Sequence, residues 1–472
     1  MKGKSMIQNK YKKLINNSIV FAIGNIGSKL ISFILLPLYT FVLTNNEYGT
    51  VDLVITISTM LVPIVSLSIY ESTLRFSMEK FDKNLVMNIS IWVSLIGSLV
   101  ILFFTSLTFL FFKNIIIIYL GIIITSQIFQ MLFAQYIRGI GKVKIFSLNG
   151  ILMTLVLMIC NILLLVVFKY GVKGYLLSII IANIFSIGFL AYHSKQRLSL
   201  RLAKLDKVKK LTFEMLKFSL PLIPNSIMWW IMNASSKLFI VYFLGNAANG
   251  IFAVSSKIPG ILNILYTIFF QAWQLSAIEE YNSENKSDYY STVFKYLCIF
   301  MTLTASFITL FIRPIMSILV SNDFYEAWHF IPILLLSTVF ASFSGFVGTT
   351  YTASMNTKGV FTTSFIGAII SFGINLILIP FWGLYGATIS QVVSFLYIWI
   401  HRQIQTKKMV PISINKNNII LIIVLSVQVL SSQFFLDKPI YYIIQVSSFL
   451  MIFVISFKNT ELKNFLKKTD KL

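Results

Sequence analysis

Two lysines in apolar surroundings are the residues of this sequence best suited to chemistry. Lys29 lies in the stretch 17–30 and Lys237 in the stretch 225–238, and neither stretch contains another charged residue. The two stretches are one motif used twice, because eight of their fourteen positions are identical at a fixed offset of 208 residues. An ionisable group inside a membrane is costly and usually faces a cavity or a partner, so we treat the pair as a candidate site. Snorkelling toward the membrane surface is the alternative, but neither lysine lies within a turn of a predicted helix end.

The neighbours of these lysines recur at helical spacing. Residues four positions apart share one face of a helix. In both copies that face carries an amide, an aromatic ring, a second amide and the lysine: Asn17, Phe21, Asn25 and Lys29, then Asn225, Trp229, Asn233 and Lys237. A third lysine in an apolar segment, Lys257, falls at the same predicted depth as Lys237, roughly 10 Å below the outer surface at 1.5 Å per residue.

The charges predicted at this depth are all positive. Asp52 falls at the outer mouth of its span, and Glu71 and Arg75 at the inner end. Desolvated lysines repel one another and tend to lose protons unless an anion neutralises them. Because an ammonium group is a suitable point-charge partner for phosphate, the pattern predicts a cationic cavity for a phosphate-bearing substrate. Lysines satisfied by helix carbonyls and water are the alternative.

The composition places the elements that carry these lysines in a membrane. Of 472 residues, 57% are hydrophobic and 12% charged, and the mean hydropathy is +0.82. Such values are typical of an all-α polytopic membrane protein. At roughly 20 apolar residues per span, about fourteen transmembrane helices can be placed. Their predicted bounds are 17–43, 51–70, 86–111, 115–137, 146–168, 172–192, 218–244, 250–278, 293–319, 329–352, 360–379, 383–401, 418–436 and 439–457.

The basic residues predict the orientation. The net charge of +23 would suggest nucleic acid in a soluble protein, but here 31 of the 39 Lys and Arg residues fall on one side of the predicted spans and five on the other. This is the positive-inside pattern, so we expect both termini in the cytoplasm and no nucleic-acid partner.

A second internal echo predicts the lobes. The stretch 161–174, on spans 5 and 6, resembles 375–386, on spans 11 and 12. Together with the lysine motif on spans 1 and 7, it predicts two six-helix lobes in parallel repeat around a central cleft. The predicted organisation is 1–192 as N-lobe, 193–217 as connector, 218–401 as C-lobe and 402–472 as two appended helices with a basic tail. The connector is basic and amphipathic; we interpret it as a cytoplasmic link, with a surface for anionic lipid as the alternative.

The sequence offers little for catalysis. The predicted outer loops are a few residues long, and we find no Gly-rich phosphate loop and no paired His or carboxylate motif. Cys160 and Cys298 fall inside predicted spans, so we assign them no disulfide or metal role. We therefore expect no enzyme, no cofactor and no metal. A cation-coupled exporter of the multidrug type would want a buried Asp or Glu, and the first span has none.

Short motifs along the chain resemble a known family. Three of these motifs lie in the N-terminal part: GNIGSK at 24–29, PLYT at 37–40 and EYG at 47–49. Four lie further along the chain: PLIPNS at 221–226, YFLG at 242–245, ANGIFAV at 248–254 and FQAWQ at 270–274. In this order they are similar to the Wzx-type polysaccharide repeat-unit flippases of the multidrug/oligosaccharidyl-lipid/polysaccharide exporter superfamily. The similarity covers essentially all the predicted spans.

The resemblance implies a function and assigns residues to it. Members of the family move undecaprenyl-diphosphate-linked oligosaccharides, such as O-antigen or capsule repeat units, from the cytoplasmic to the outer leaflet by alternating access. It implies a bacterial plasma membrane, with polysaccharide polymerase or export machinery as candidate partners. The diphosphate role then falls on Lys29, Lys237 and Lys257, with Arg75 a weaker candidate; Asn25, Asn233, Trp229 and Trp230 are candidates for sugar contacts, with helix packing as the alternative for each.

Overall fold

The computed structural model describes residues 33–79, 81–194, 205–354, 357–434 and 439–458, and all regular elements among them are helices. The chain divides into two compact units, Met1–Trp230 and Ile231–Leu472, and the division falls inside the ninth helix. Eleven helices of the described part are long and apolar enough to span a membrane. The prediction of an all-α multi-pass membrane protein is therefore confirmed, whereas the count of fourteen spans is not.

The N-terminal unit is a bundle of apolar helices. Its helices are α1 (Phe33–Val42), α2 (Asn45–Val65), α3 (Ile69–Met78), α4 (Lys83–Phe112), α5 (Ile115–Gly139), α6 (Val143–Asn161), a π-helical turn (Ile162–Val167), α7 (Gly171–Ser194), α8 (Leu205–Ser219) and the first part of α9 (Leu222–Leu244). Helix α5 packs against α2, α3, α4 and α7. The predicted connector is thus partly helical, because α8 falls within it.

The C-terminal unit continues from α9. Its further helices are α10 (Asn246–Ser255), α11 (Lys257–Glu280), α12 (Lys286–Leu310), α13 (Ile312–Leu319), a 3-10 helix (Asn322–His329), α14 (Ile331–Ala353), α15 (Thr357–Trp382), α16 (Leu384–Thr406), α17 (Lys416–Phe434) and α18 (Pro439–Lys458). Helix α14 is the most deeply buried of the candidate spans and packs against α11, α12, α16 and α17. It forms the centre of this unit.

Three predicted spans are broken by backbone features. The second span ends at α2 with a Schellman motif, in which Ser68 N–H donates to Pro63 O and Leu67 N–H to Ile64 O. Leu67 and Ser68 adopt positive φ angles of 52° and 49°, a conformation usually left to glycine, before α3 begins. The eighth span breaks before Pro259 and the ninth before Pro314, since proline lacks the N–H that would continue the helical ladder.

The glycines of the second sequence echo have equivalent structural roles. Gly171 is the first residue of α7 and has a φ angle of 52°, and Gly383 lies directly before α16 and has a φ angle of 57°. A Cβ atom at Gly174 would lie 3.0 Å from Leu164 O, and one at Gly386 would lie 2.5 Å from Leu378 O. Both glycines therefore let a helix approach the backbone of the preceding one. The echo marks the same tight helix pair in each unit.

Helices α17 and α18 are joined to the C-terminal unit by buried amides. The Ser306 hydroxyl of α12 donates to Gln428 Oε1 at 2.6 Å, and Gln445 Nε2 donates to Gln428 O at 3.0 Å. Polar side chains of this kind hold membrane helices together. The sequence predicts these two helices as an appendage to the C-lobe; in the structure both pack on α12.

Candidate functional site

A polar cavity in the C-terminal unit contains Lys237. Its volume is about 260 Å³, and its polar lining residues come from α9, the α10–α11 junction, α11, α14 and α16. They are Lys237, Ser256, Asn263, Ser337, Thr338 and Gln391. None of the described residues that line the cavity is acidic. One positive charge therefore faces a set of neutral polar groups.

The helix that carries Lys237 is positioned by a buried asparagine. Asn375 Nδ2 on α15 donates to the hydroxyl of Ser236, the residue before Lys237, at 3.0 Å, and both side chains are buried. In the N-terminal unit, the corresponding asparagine of the sequence echo, Asn161, donates to the Tyr39 hydroxyl at 2.9 Å. In each unit, the echoed asparagine joins its helix to the first helix of the repeat.

The hydroxyl groups of the cavity are arranged as acceptors. Ser337 and Thr338 both donate to Leu334 O, at 2.8 and 2.9 Å, and Ser256 donates to Phe252 O at 2.8 Å. Because each proton is used within its own helix, the hydroxyl oxygens keep lone pairs for a ligand donor.

The amides of Asn263 and Gln391 add both donors and acceptors to the cavity. Asn263 is exposed and Gln391 is half-buried. An amide side chain has two N–H donors and a carbonyl acceptor, which suits it to a ligand rich in hydroxyl groups. A ligand with an anionic group and hydroxyl groups would match this lining.

The other predicted lysines and the arginine are placed differently. Lys257 is the half-buried first residue of α11, next to the cavity residue Ser256, but it does not line the cavity. Arg75 belongs to the N-terminal unit, where it forms an exposed ion pair with Glu79 at 2.9 Å. Exposed pairs of this kind contribute little energy.

The remaining predicted site residues receive limited or no structural description. Lys29 and Asn25 lie outside the described residues. Asn233 and Trp229 lie on α9, but their side chains are outside the described part. Trp230 donates its indole N–H to Thr56 O at 3.0 Å, which is a helix-packing contact.

Sequence reasoning did not identify Ser256, Asn263, Ser337, Thr338 and Gln391. Each is a polar residue within an apolar segment, and this is the one signal that the sequence contained. Their convergence on Lys237 depends on helix packing, which a single sequence does not show.

Comparison with known proteins supports the fold and the family. No curated protein matches the sequence at a significant level. The structure of the lipid II flippase MurJ in an inward closed conformation is similar to this chain with a TM-score of 0.72 and 14% identity, over 95% of this chain and 100% of that one. An outward-facing multidrug resistance MATE family transporter of the MOP superfamily gives a TM-score of 0.58 at 14% identity, over 84% and 96% of the chains. A MOP superfamily transporter from Pyrococcus furiosus gives 0.55 at 14%, with the same coverage.

The sequence itself assigns the family. Residues 14–274, more than half of the chain, match the family described as polysaccharide biosynthesis protein. The matched range includes both copies of the lysine motif. The chain therefore belongs to the polysaccharide biosynthesis protein family and has the fold shared by MurJ and the MATE transporters.

Proposed function

We propose that this protein is a flippase that moves undecaprenyl-diphosphate-linked oligosaccharide repeat units from the cytoplasmic to the outer leaflet by alternating access. The observation that carries the proposal is the cavity in which Lys237 faces neutral amides and hydroxyls without an acidic residue in its described lining. The family and the likeness to MurJ, a lipid II flippase, support a lipid-linked substrate.

Lys237 binds the diphosphate in this account. The ammonium group supplies three N–H donors and a positive charge, and hydrogen bonds to charged groups contribute roughly twice as much as neutral ones. Lys29 and Lys257 are proposed as further diphosphate ligands, with Arg75 as a weaker candidate near the cytoplasmic entrance.

The amides of the cavity contact sugar hydroxyls. A volume of about 260 Å³ lies just below the range of roughly 300–1,000 Å³ typical of sites for drug-sized ligands. The cavity thus fits a phosphate group with one sugar ring better than a whole repeat unit. Asn263 and Gln391 carry this role, and Asn25, Asn233 and Trp229 remain proposed sugar contacts.

The proposed orientation gives the movement a driving force. The excess of Lys and Arg on one predicted side supports an orientation in a bacterial plasma membrane with both termini facing the cytoplasm. An inside-negative potential then favours outward movement of negative charge by roughly 2.3 kcal/mol per charge per 100 mV. The polysaccharide polymerase or export machinery would receive the flipped product.

A second candidate function is export of a small molecule or drug coupled to a cation. The likeness to MATE structures favours it, with a TM-score of 0.58 for the outward-facing transporter. A cationic drug or a coupling ion would bind best beside a carboxylate, and the described lining of the Lys237 cavity has none. The cavity chemistry therefore favours an anionic substrate.

Deletion of the gene distinguishes the two functions. The flippase proposal predicts that lipid-linked oligosaccharide accumulates in the cytoplasmic leaflet, protected from an external sugar-modifying reagent. The exporter proposal predicts an unchanged amount of lipid-linked oligosaccharide and altered resistance to small molecules.

Complementation with Lys29→Ala/Lys237→Ala should leave the accumulation in place while the protein still inserts into the membrane. Normal surface glycan in that double variant would refute the assignment of the lysines.

A further inference from the structure

Helix α8 is an amphipathic helix whose apolar face is already covered. Its residues Leu211 and Met215 are buried in a cluster with Ile69 and Val86 of α3 and α4. The hydroxyl of Ser72 on α3 also donates to Met215 O at 2.6 Å. These contacts fix which face of α8 points away from the N-terminal unit.

The opposite face combines lysines with an exposed aromatic ring. Lys209 and Lys210 precede Phe213 by four and three residues, and Lys217 follows it by four, so all four side chains share this side of the helix. The three lysines are exposed, and Phe213 is 68% exposed. Folding of the unit does not explain this phenylalanine, because the apolar stripe of α8 is buried on the other side.

Apolar side chains near the ends of α3 and α8 also remain exposed. The rings of Phe81 and Phe218 contact the Phe76 ring at centroid distances of 5.1 and 6.2 Å, yet both remain partly exposed. Met78 at the end of α3 is 67% exposed. Two residues separate α8 from α9, and the long apolar helix α4 begins beside it, so this surface lies where membrane-spanning helices begin.

We propose that the exposed face of α8 binds anionic phospholipid of the cytoplasmic leaflet. The ammonium groups of Lys209, Lys210 and Lys217 contact the lipid phosphates, and the Phe213 ring enters the acyl boundary. Lysine on the polar face with an aromatic ring at the interface is the arrangement of helices that lie on anionic membranes. The whole helix α8 is net positive, because its four lysines, which include Lys207, outnumber the acidic residues Asp206 and Glu214. This surface belongs to the N-terminal unit, whereas the Lys237 cavity belongs to the C-terminal unit, and the proposal does not depend on the proposed transport activity.

Thermal unfolding of the purified full chain in detergent tests the proposal. We expect added phosphatidylglycerol to raise the unfolding midpoint of the wild type more than phosphatidylcholine does at equal mole fraction. In K209A/K210A/K217A, the phosphatidylglycerol concentration for half of this shift should rise roughly a hundredfold, since each lysine near an anionic surface contributes on the order of a factor of five. Phe213→Ser should reduce the shift by either lipid.

A matched control separates a specific surface from general charge. K407A/K408A/K416A removes three lysines from exposed positions of the C-terminal unit and should keep the wild-type lipid response. Two results would overturn the proposal. One is an equal loss of stabilisation by phosphatidylglycerol in both triple variants, and the other is equal stabilisation of the wild type by the two lipids. Glycerol phosphate in place of the lipid should give no shift; a full shift would show that the surface binds soluble phosphate instead. Each variant should have the same unfolding midpoint as the wild type in the absence of lipid, which verifies that it folds.

Discussion

Lys237 is a cation that the fold holds at the wall of a polar cavity. The neighbouring Ser236 is fixed by Asn375, while the cavity around the ammonium group contains amides and hydroxyl acceptors. We expect a substrate phosphate that reaches this cavity to form a charge-assisted hydrogen bond with the ammonium group. The contribution of such a bond is about 1.5–3 kcal/mol.

Substitution of Lys237 should therefore weaken binding of a diphosphate lipid. We expect Lys237→Gln to raise the Kd for undecaprenyl diphosphate about 10- to 150-fold, which corresponds to that energy. Lys237→Arg keeps the positive charge and should lose much less affinity for the diphosphate lipid. Lys416 is an exposed lysine at the start of α17. Lys416→Gln therefore serves as the control and should leave Kd unchanged. Titration with a fluorescent analogue measures all four proteins, and equal Kd values for Lys237→Gln and wild type would remove Lys237 from the site.

The candidate site was only partly predictable from the sequence. Lys237 was predictable because a charge in an apolar helix is rare and because its motif occurs twice. Gln391 and Asn263 were not, since a polar residue in a membrane helix has several uses and its neighbours on other helices are unknown. The indole N–H of Trp230 donates to Thr56 O, which agrees with the helix-packing alternative for this residue; its contact with sugar stays a prediction.

At the scale of elements, hydropathy predicted the existence of most helices and missed their breaks. The average over some 20 residues does not register two residues of positive φ, so hydropathy predicts the second span at 51–70, across the break between α2 and α3. The ninth was drawn at 293–319, across the break before α13. Arg313 follows that break and its guanidinium lies 4.3 Å from the Trp328 ring centroid and 4.6 Å from that of Tyr441. This stacking joins α13, the 3-10 helix and α18 at one end of the unit.

The sequence echoes were more informative than hydropathy about element pairs. Asn161 and Asn375 were matched from sequence, and both proved to be buried donors to the first helix of their repeat. The physical reason is that a buried amide in a membrane needs a partner, so its position constrains two helices at once.

Asn375 should act as a positioning residue for Lys237. We expect Asn375→Leu to remove the bond to Ser236, to lower stability by about 1 kcal/mol and also to weaken diphosphate binding several-fold, because α9 loses its fixed position. Asn161→Leu removes the equivalent bond in the other unit and should lower stability to a similar extent without changing binding to the Lys237 cavity. Thermal unfolding and Kd, measured together, separate the two effects. Equal binding losses in both variants would reduce Asn375 to a general structural role.

At the scale of the whole molecule, the composition was decisive. A chain that is 57% hydrophobic can bury its apolar residues only with lipid as a partner, which explains the many large apolar side chains exposed along α4, α15 and α18. The family match and the MurJ-like fold agree with this class.

We propose that this chain moves a diphosphate-linked saccharide across a bilayer by way of Lys237. The most direct test is reconstitution of the wild type, Lys237→Gln and Lys416→Gln into vesicles that contain undecaprenyl diphosphate bearing a fluorescent hexose in both leaflets. A membrane-impermeant quencher reaches only the labelled lipid of the outer leaflet. Lipid that starts in the inner leaflet is quenched only after it has been flipped. We predict near-complete quenching with the wild type and with Lys416→Gln, and quenching of only the outer-leaflet share with Lys237→Gln. Quenching by Lys237→Gln at the wild-type rate, or no quenching beyond the outer leaflet with the wild type, would contradict the account.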